Sequence, residues 1–269
     1  MTATQLMLNL GCGSRTHPVW VNIDHSLLAT LRALPVVGPM IGRNPDGYRN
    51  WDLRRGIPYE SNSAAVVYSS HLLEHIDRVS APLFLRETIR VLRPGGIIRI
   101  VVPDLEASVR EYLDALQVLR QNSATLDELH RYELATLLLL DQMVRQELGG
   151  KLAPWLREHA DAAVVRERGG ILADIAKSRP PLANRRGLIR WGARVTGMLD
   201  PVKRGEVHRW MYYEFSLASL LREAGFCDVE RVTASTSKIE GWNAFGLDLN
   251  SDGRPHQPGS LWVEAVKPC

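Results

Sequence analysis

The sequence predicts an α/β protein, a parallel sheet with a helical insertion, on three observations. The first hundred residues alternate short apolar runs with turns and helical patterns, which is typical of parallel strands joined by helices. From about 105 to 205 the apolar residues recur at helical spacing instead. Beyond 206 a helix and strand pattern returns. We therefore predict a cofactor-binding half at 1–105, a helical insertion or acceptor lid at 106–205, and a second half of the same domain at 206–269.

The individual elements follow from apolar runs and their boundaries. Helices are predicted at 79–92, where Pro82 suits the first turn, and at 215–224, which Gly225 ends. Strands are predicted at 7–10, 20–23, 48–51, 65–69, 97–102, 227–233 and 260–266. No basic and apolar leader precedes the first strand, and no uncharged run approaches the ~18 residues of a membrane-spanning helix.

Composition limits the partners and the compartment. The chain has 269 residues, 45% of them hydrophobic, and a formal net charge of +3, which is too small to indicate a nucleic-acid partner. Its three cysteines, Cys12, Cys227 and Cys269, lack CxxC spacing. That pattern disfavours a zinc ribbon or a disulfide scaffold. We expect a cytoplasmic protein that does not bind nucleic acid.

The stretch 7–24 carries the strongest ligand signal. An apolar strand runs into Gly11-Cys12-Gly13, and the next strand ends at Asp24. Glycines without a Cβ let a ligand approach the backbone, and an acid after the following strand can accept hydrogen bonds from a ribose diol. A nucleoside-containing cofactor is therefore predicted. NAD is disfavoured, because Thr16 replaces the third glycine of a dinucleotide fingerprint and Asp24 comes early.

Two further segments follow predicted strands. Trp51-Asp52-Leu53 comes after the third strand, and 69–75 comes after the fourth. In an open parallel sheet, ligands bind beyond the carboxyl ends of the strands, near the point where the strand order reverses. The glycine turn, Asp24, Asp52 and 69–75 all fall at such ends. Four elements in this order are much more specific than the glycine turn alone.

With the motifs LNLGCG, SSHLLEHI and VLRPGGIIRIVVPD, the chain resembles the class I S-adenosylmethionine-dependent methyltransferases over about 6–105 and 206–267. The resemblance implies a Rossmann-like fold and S-adenosyl-L-methionine as the cofactor. The glycine turn would lie under its methionine part, Asp24 would bind the ribose, and Asp52 and Leu53 would meet the adenine. The implied cofactor contacts are Asn9, Leu10, Gly11, Cys12, Gly13, Asp24, Asp52 and Leu53, together with the backbone around Ser70 and His71.

The chain departs from the common family pattern in two places. Asn9 stands where many relatives carry an acid, which would weaken a contact to the cofactor ammonium. Ten residues separate Gly13 from Asp24, so the usual first helix must be very short. Neither departure argues strongly against cofactor binding.

Methyl transfer to a hydroxyl needs positioning and a group that accepts the acceptor's proton, for which histidine suits neutral pH. His208 ranks first, because related enzymes often place acceptor-facing residues before the last α/β unit; His71, Glu74 and His75 are the other candidates. His17, in the loop after the glycine turn, is a fourth histidine that could serve. As the alternative, Glu74 and His75 brace the cofactor loop, and His208 packs on Trp210. No metal is expected, because the spacing of these residues lacks a pattern such as H-E-x-x-H.

Three other features have two interpretations each. Asp104 is predicted to cap the helix starting at Leu105, the alternative being an acceptor contact. The basic segment 177–204 is predicted to be a solvated lid, the alternative being contact with an anionic membrane surface or an anionic acceptor. The apolar loop 31–41 would either support a membrane or partner contact or pack beneath the insertion.

The acceptor is predicted from the resemblance alone. Relatives with the SSHLLEHI and VVPD patterns are often associated with saccharide or cell-surface glycan biosynthesis, which implies O-methylation of a sugar hydroxyl. One alternative is a methyltransferase acting on another small-molecule hydroxyl or amine. A second is a non-catalytic, cofactor-binding partner subunit. An anionic or lipid-linked acceptor and a homo-oligomer are further alternatives that the sequence leaves open.

Overall fold

The computed structural model describes residues 5–25, 29, 32, 42, 44–121, 124–178, 200–201 and 205–269. The loop 31–41, apart from residue 32, lies outside these ranges. The segment 177–204 does too, apart from residues 177–178 and 200–201. The lid and membrane interpretations of these segments therefore stay predictions.

Within these ranges the chain forms a seven-stranded sheet in the order β3-β2-β1-β4-β5-β7-β6. Every strand predicted from the sequence is present, and the α/β, Rossmann-like fold class is confirmed. The strands are β1 Leu6–Leu10, β2 Val21–Asp24, β3 Tyr48–Asn50, β4 Ala64–Ser70, β5 Leu92–Pro103, β6 Cys227–Val232 and β7 Ser260–Val266. The helices are α1 Ala81–Val91, α2 Leu105–Gln121, α3 Leu126–Val144, α4 Leu152–Glu158, α5 Ala163–Arg168, α6 Gly170–Lys177 and α7 Glu214–Glu223.

Strand direction agrees with the prediction at one side of the sheet and not at the other. β1 pairs in parallel with β2 and β4, β2 with β3, and β4 with β5. β6 and β7 are antiparallel, so the expectation of a wholly parallel sheet is wrong there. A parallel pair needs a crossover, usually a helix, whereas the described chain between these two strands has only a 3-10 turn at Trp242–Phe245. The order reverses between β1 and β4, which places a ligand-binding crevice at their carboxyl ends.

An aromatic core packs on the sheet. Trp20 contacts Tyr68, Trp242 and Phe245 edge-on, with ring centroids 6.2, 6.0 and 5.3 Å apart. Trp20, Tyr68 and Trp242 are each at most 4% exposed. Such packing contributes about 1.5–3 kcal/mol for each large apolar side chain. The 3-10 turn at 242–245 is thereby held against the strands.

A buried arginine ties the chain after β6 to the middle of the sheet. Arg99 is 0% exposed and donates to carboxylate oxygens of Asp248 at 2.8 Å and Glu264 at 2.6 Å. Its Nη1, which donates to Glu264, also donates to the carbonyl of Thr236 at 3.0 Å, and its Nη2 donates to the carbonyl of Thr233 at 2.7 Å. The Tyr68 hydroxyl donates to Asp248 at 2.7 Å. Burial, and then the charge of Asp248, raise the pKa of Tyr68 well above its usual value.

Contacts divide the chain into two compact units: 1–102 with 212–251 and 261–269, and 103–211 with 252–260. The second unit contains α2 to α6, around a core that includes Leu134, Leu156 and Val165. The described helices of the predicted insertion fall in it, and the predicted domain division stays a prediction. Asp104 accepts from the backbone N–H groups of Glu106 at 3.0 Å and Ala107 at 3.2 Å, which confirms the predicted helix cap. Among the helices described, none is long and apolar enough to span a membrane.

Candidate cofactor site and active site

The glycine turn after β1 leaves open space beside its backbone. Gly11 and Gly13 have φ of +68° and +51°, in the left-handed region that favours glycine. A Cβ on Gly11 would lie 3.0 Å from Leu72, so this position needs glycine for packing. A Cβ on Gly13 would meet no atom within 4 Å. A ligand can therefore lie against the backbone at Gly13.

Asn9 braces this turn from within the sheet. It is buried, and its amide donates to the carbonyl of Arg15 at 2.8 Å and to Oδ1 of Asn22 at 3.0 Å. Both amide hydrogens therefore form hydrogen bonds within the protein, to the loop after β1 and to β2. The predicted contact of Asn9 with a cofactor ammonium is not tested by this geometry and stays a prediction.

Leu10 and Cys12 are buried beside the turn, at 0% and 6% exposure. Burial, and then the charge of Asp24, raise the pKa of Cys12 to about 12. The thiol therefore stays protonated at neutral pH and is not a nucleophile. Any cofactor contact from these two residues would come through their backbone.

Asp24 closes the turn from the end of β2. Its Oδ2 accepts the N–H of Gly13 at 2.8 Å, and its Oδ1 accepts the N–H of His25 at 2.6 Å. Each carboxylate oxygen has a second lone pair, so both can still accept from a ribose diol. The N–H of Trp51 donates to the Asp24 carbonyl at 2.9 Å and brings the segment after β3 alongside. Asp24 and the open Gly13 backbone thus suit the nucleoside part of the predicted cofactor.

Asp52 has a partner that the sequence reasoning missed. Both of its carboxylate oxygens accept from Arg54, whose Nη2 lies 2.8 Å from Oδ2. These hydrogen bonds lower the pKa of Asp52 to about 2. The Arg54 side chain is 83% exposed, and an exposed ion pair of this kind contributes little stability, so its loss on ligand binding would cost little free energy. Asp52 also caps the short 3-10 turn that starts at Leu53. Because its pKa is low, the carboxylate would stay ionised beside an adenine amino group.

The end of β4 brings together His71 and Glu74, two of the predicted catalytic residues. His71 follows Ser70, the last residue of the strand, and has φ of +50°, which is rare outside glycine. Its N–H donates to the carbonyl of Val101 on β5 at 2.8 Å. Its Nδ1 lies 3.1 Å from Oε1 of Glu74. The Glu74 side chain is 0% exposed and the His71 side chain 22%.

His75 and Tyr212 belong to the same unit as this pair. His75 is half-buried, and its N–H donates to the Leu72 carbonyl at 3.0 Å in the 3-10 turn. Tyr212 was not singled out from the sequence. Its burial, and then the charge of Glu74, raise its pKa to about 12. The phenol therefore stays neutral near pH 7.

His208 lies in the second unit and is 4% exposed. Its backbone N–H donates to the carbonyl of Gln142 at 2.9 Å, near the end of α3. This bond fixes the main chain at His208 relative to α3. The role of His208 as the general base stays a prediction.

Residues 8–100 match a protein family described as "Methyltransferase domain". The matched stretch runs from β1 into β5 and contains the glycine turn, Asp24, Asp52 and His71. The match covers less than half of the chain and supports the predicted methyltransferase domain and, with it, S-adenosyl-L-methionine as the cofactor. No curated protein matches the chain.

Solved structures that resemble the chain include methyltransferases of low identity. One is a complex between the Haloferax volcanii Trm112 methyltransferase activator and a methyltransferase, at 13% identity over 99% of this chain and 84% of that chain, TM-score 0.41. An S-adenosylmethionine-dependent methyltransferase from Archaeoglobus fulgidus has 9% identity over 98% and 86%, TM-score 0.40. One from Mesorhizobium loti has 14% identity over 97% and 90%, TM-score 0.40. At these scores the likenesses decide nothing about fold or function.

Proposed function

We propose that this chain is an S-adenosylmethionine-dependent methyltransferase that O-methylates a hydroxyl group of a saccharide or glycan-type acceptor. The observation that carries the proposal is the grouping of Gly13, Asp24 and His71 at the carboxyl ends of β1, β2 and β4. These ends flank the point where the strand order reverses, within the residues that match a methyltransferase domain.

The donor side is supported residue by residue. The backbone at Gly13 would face the methionine part, Asp24 would hold the ribose, and Asp52 with Leu53 would hold the adenine. When bound, the cofactor supplies a methyl group activated by a positively charged sulfur. The protein contributes orientation of the acceptor and removal of its proton, since an in-line displacement depends mainly on alignment.

The acceptor side is supported by motif and by chemistry. The SSHLLEHI and VVPD patterns resemble those of relatives linked to glycan biosynthesis. A sugar hydroxyl has a high pKa and benefits from a general base, for which the histidines at 71, 75 and 208 are candidates. We place this activity in the cytoplasm, with an acceptor that is either free or lipid-linked.

Cofactor binding is tested by calorimetric titration of the full chain with S-adenosylmethionine. Asp24→Asn removes the charge that would hold the ribose, so the Kd should rise roughly 10- to 100-fold, as for loss of a charged hydrogen bond. The control is Asp252→Asn, an exposed acid paired with Arg254, whose Kd should equal that of the wild type. Absence of binding by the wild type, or tight binding of NAD instead, would overturn the proposal.

The acceptor is tested with donor carrying a deuterated methyl group. Free monosaccharides, nucleotide sugars, lipid-linked saccharides and small amines are each incubated with the wild type and analysed by mass spectrometry. Label on a saccharide oxygen supports the proposal. Label on amines alone, or binding of the donor with no transfer to any acceptor, contradicts it and favours a natural-product enzyme or a non-catalytic subunit, respectively.

A further inference from the structure

We propose that His71 is the general base of the reaction and that the buried Glu74 is the residue that positions it. This inference rests on the proposed function and narrows its candidate catalytic residues to one acid–histidine pair. Two observations carry it: the short distance between the two side chains, and the unusual backbone that places His71 at the end of β4.

The two side chains lie within ion-pair distance of each other. Nδ1 of His71 lies 3.1 Å from Oε1 of Glu74, and the Glu74 side chain is 0% exposed. A buried carboxylate is costly unless a donor or positive charge faces it, so we infer that the ring nitrogen near Glu74, Nδ1, carries the proton. A proton on Nδ1 leaves the lone pair on Nε2, the state in which imidazole accepts a proton.

The backbone places His71 at the ligand edge of the sheet, directly after β4. His71 holds φ of +50°, and its N–H is fixed by the Val101 carbonyl at 2.8 Å. A non-glycine residue in this region carries strain, and such residues cluster at functional sites. The His71 side chain is 22% exposed beside its fully buried partner. One member of the pair can therefore reach an acceptor while the other remains in the protein interior.

In the proposed reaction, methyl transfer and proton removal take place on the same acceptor hydroxyl. The acceptor hydroxyl oxygen forms a bond to the methyl carbon, and the bond from that carbon to sulfur breaks with its electron pair left on sulfur. The hydroxyl proton passes to Nε2 of His71. The resulting imidazolium is stabilised by the negative charge of Glu74, and it later releases the proton to water. Tyr212 is unsuited to this role, because its phenol stays protonated near neutral pH.

The first test separates turnover from binding. His71→Asn suits the left-handed backbone, which asparagine tolerates, and removes the imidazole. We expect kcat with a hydroxyl acceptor to fall roughly 100-fold or more, the usual contribution of a general base, while the calorimetric Kd for S-adenosylmethionine stays within about twofold. Glu74→Gln keeps an acceptor for Nδ1–H but removes the charge, so kcat should fall about tenfold with the Kd unchanged.

The matched control is Glu230→Gln on β6, three strands from β4 in the sheet order, where kcat should equal that of the wild type. Full kcat in His71→Asn, with a wild type that methylates hydroxyls, would overturn the inference and leave the proposed function standing. A wild type that binds the donor and methylates no hydroxyl would overturn the proposed function itself.

The second test needs no turnover. Long-range proton–nitrogen NMR of the full chain reports which ring nitrogen of His71 carries the proton. The inference predicts the Nδ1–H tautomer in the wild type and a larger share of Nε2–H in Glu74→Gln. A wild-type ring protonated on Nε2 alone would overturn the inference, whatever the activity of the enzyme.

Discussion

Among single residues, the two glycines of the turn are constrained by different surroundings. Gly11 is held by packing, because a Cβ there would crowd Leu72 at 3.0 Å. Gly13 has no such neighbour within 4 Å, and only its φ of +51° and the ligand space beside it restrict the side chain. Gly13 therefore offers a way to separate backbone strain from loss of binding space.

Gly13→Ala should weaken S-adenosylmethionine binding more than it destabilises the fold. The left-handed φ costs alanine about 1–2 kcal/mol, and the new methyl group enters the proposed cofactor space. The control is Gly95→Ala, where φ is +71° and the Cβ also meets nothing within 4 Å. Both variants should lose similar free energy of unfolding in urea, and only Gly13→Ala should raise the calorimetric Kd. Equal affinities in the two variants would contradict this assignment.

Among elements, the loop after β1 is tied to the chain that follows β6. The guanidinium of Arg15 donates to the carbonyl of Leu249 at 2.9 Å and to Oδ1 of Asn250 at 3.2 Å. The ring of His17 meets Phe245 edge-on, with centroids 5.2 Å apart. The glycine turn is therefore supported from the C-terminal part of the first unit, as well as by Asn9 from beneath.

Arg15→Ala should loosen the glycine turn and weaken the cofactor complex. We expect the KM for S-adenosylmethionine to rise about tenfold, as for loss of one charge-assisted hydrogen bond, with kcat at saturating donor kept near the wild-type value. Arg231→Ala, which removes an exposed arginine paired with Glu214, serves as the control. A fall in kcat at unchanged KM would show that Arg15 acts on the chemical step instead.

The sequence predicted the parts of the site that depend on local pattern. Glycines after an apolar strand and acids at strand ends are short-range signals, which is why Gly13, Asp24 and Asp52 were found. The Arg54 partner, two residues from Asp52, could have been found from the acid–base spacing around a turn. The contact of Arg15 with Asn250 could not, because the residues are 235 apart and nothing local in either segment specifies the other. The same holds for the antiparallel direction of β7.

For the whole molecule, the buried network around Arg99 is the strongest constraint on the first unit. Two carboxylates, two carbonyls and the ring of Trp242, 4.5 Å from the guanidinium, surround one positive charge. Removing the cation would leave Asp248 and Glu264 buried without it. The network joins β5, β7 and the chain between β6 and β7.

Arg99→Met should reduce the free energy of unfolding by about 3–5 kcal/mol, the usual effect of removing one partner from a buried ion pair. The measurement is urea unfolding of the full chain. The control is Arg110→Met, since Arg110 is 73% exposed and pairs with Glu106 at 2.6 Å; its effect should be below about 1 kcal/mol. Equal stability of the two variants would mean that the network adds little beyond its packing.

The position of β7 also sets the order in which the sheet can be completed during synthesis. β7 lies between β5 and β6, yet residues 260–266 follow both of them along the chain. Until this segment has left the ribosome, β6 lacks the strand that it pairs with in the described sheet, and Arg99 lacks its ion pair with Glu264. The first unit can therefore close its sheet only after the entire second unit has been translated.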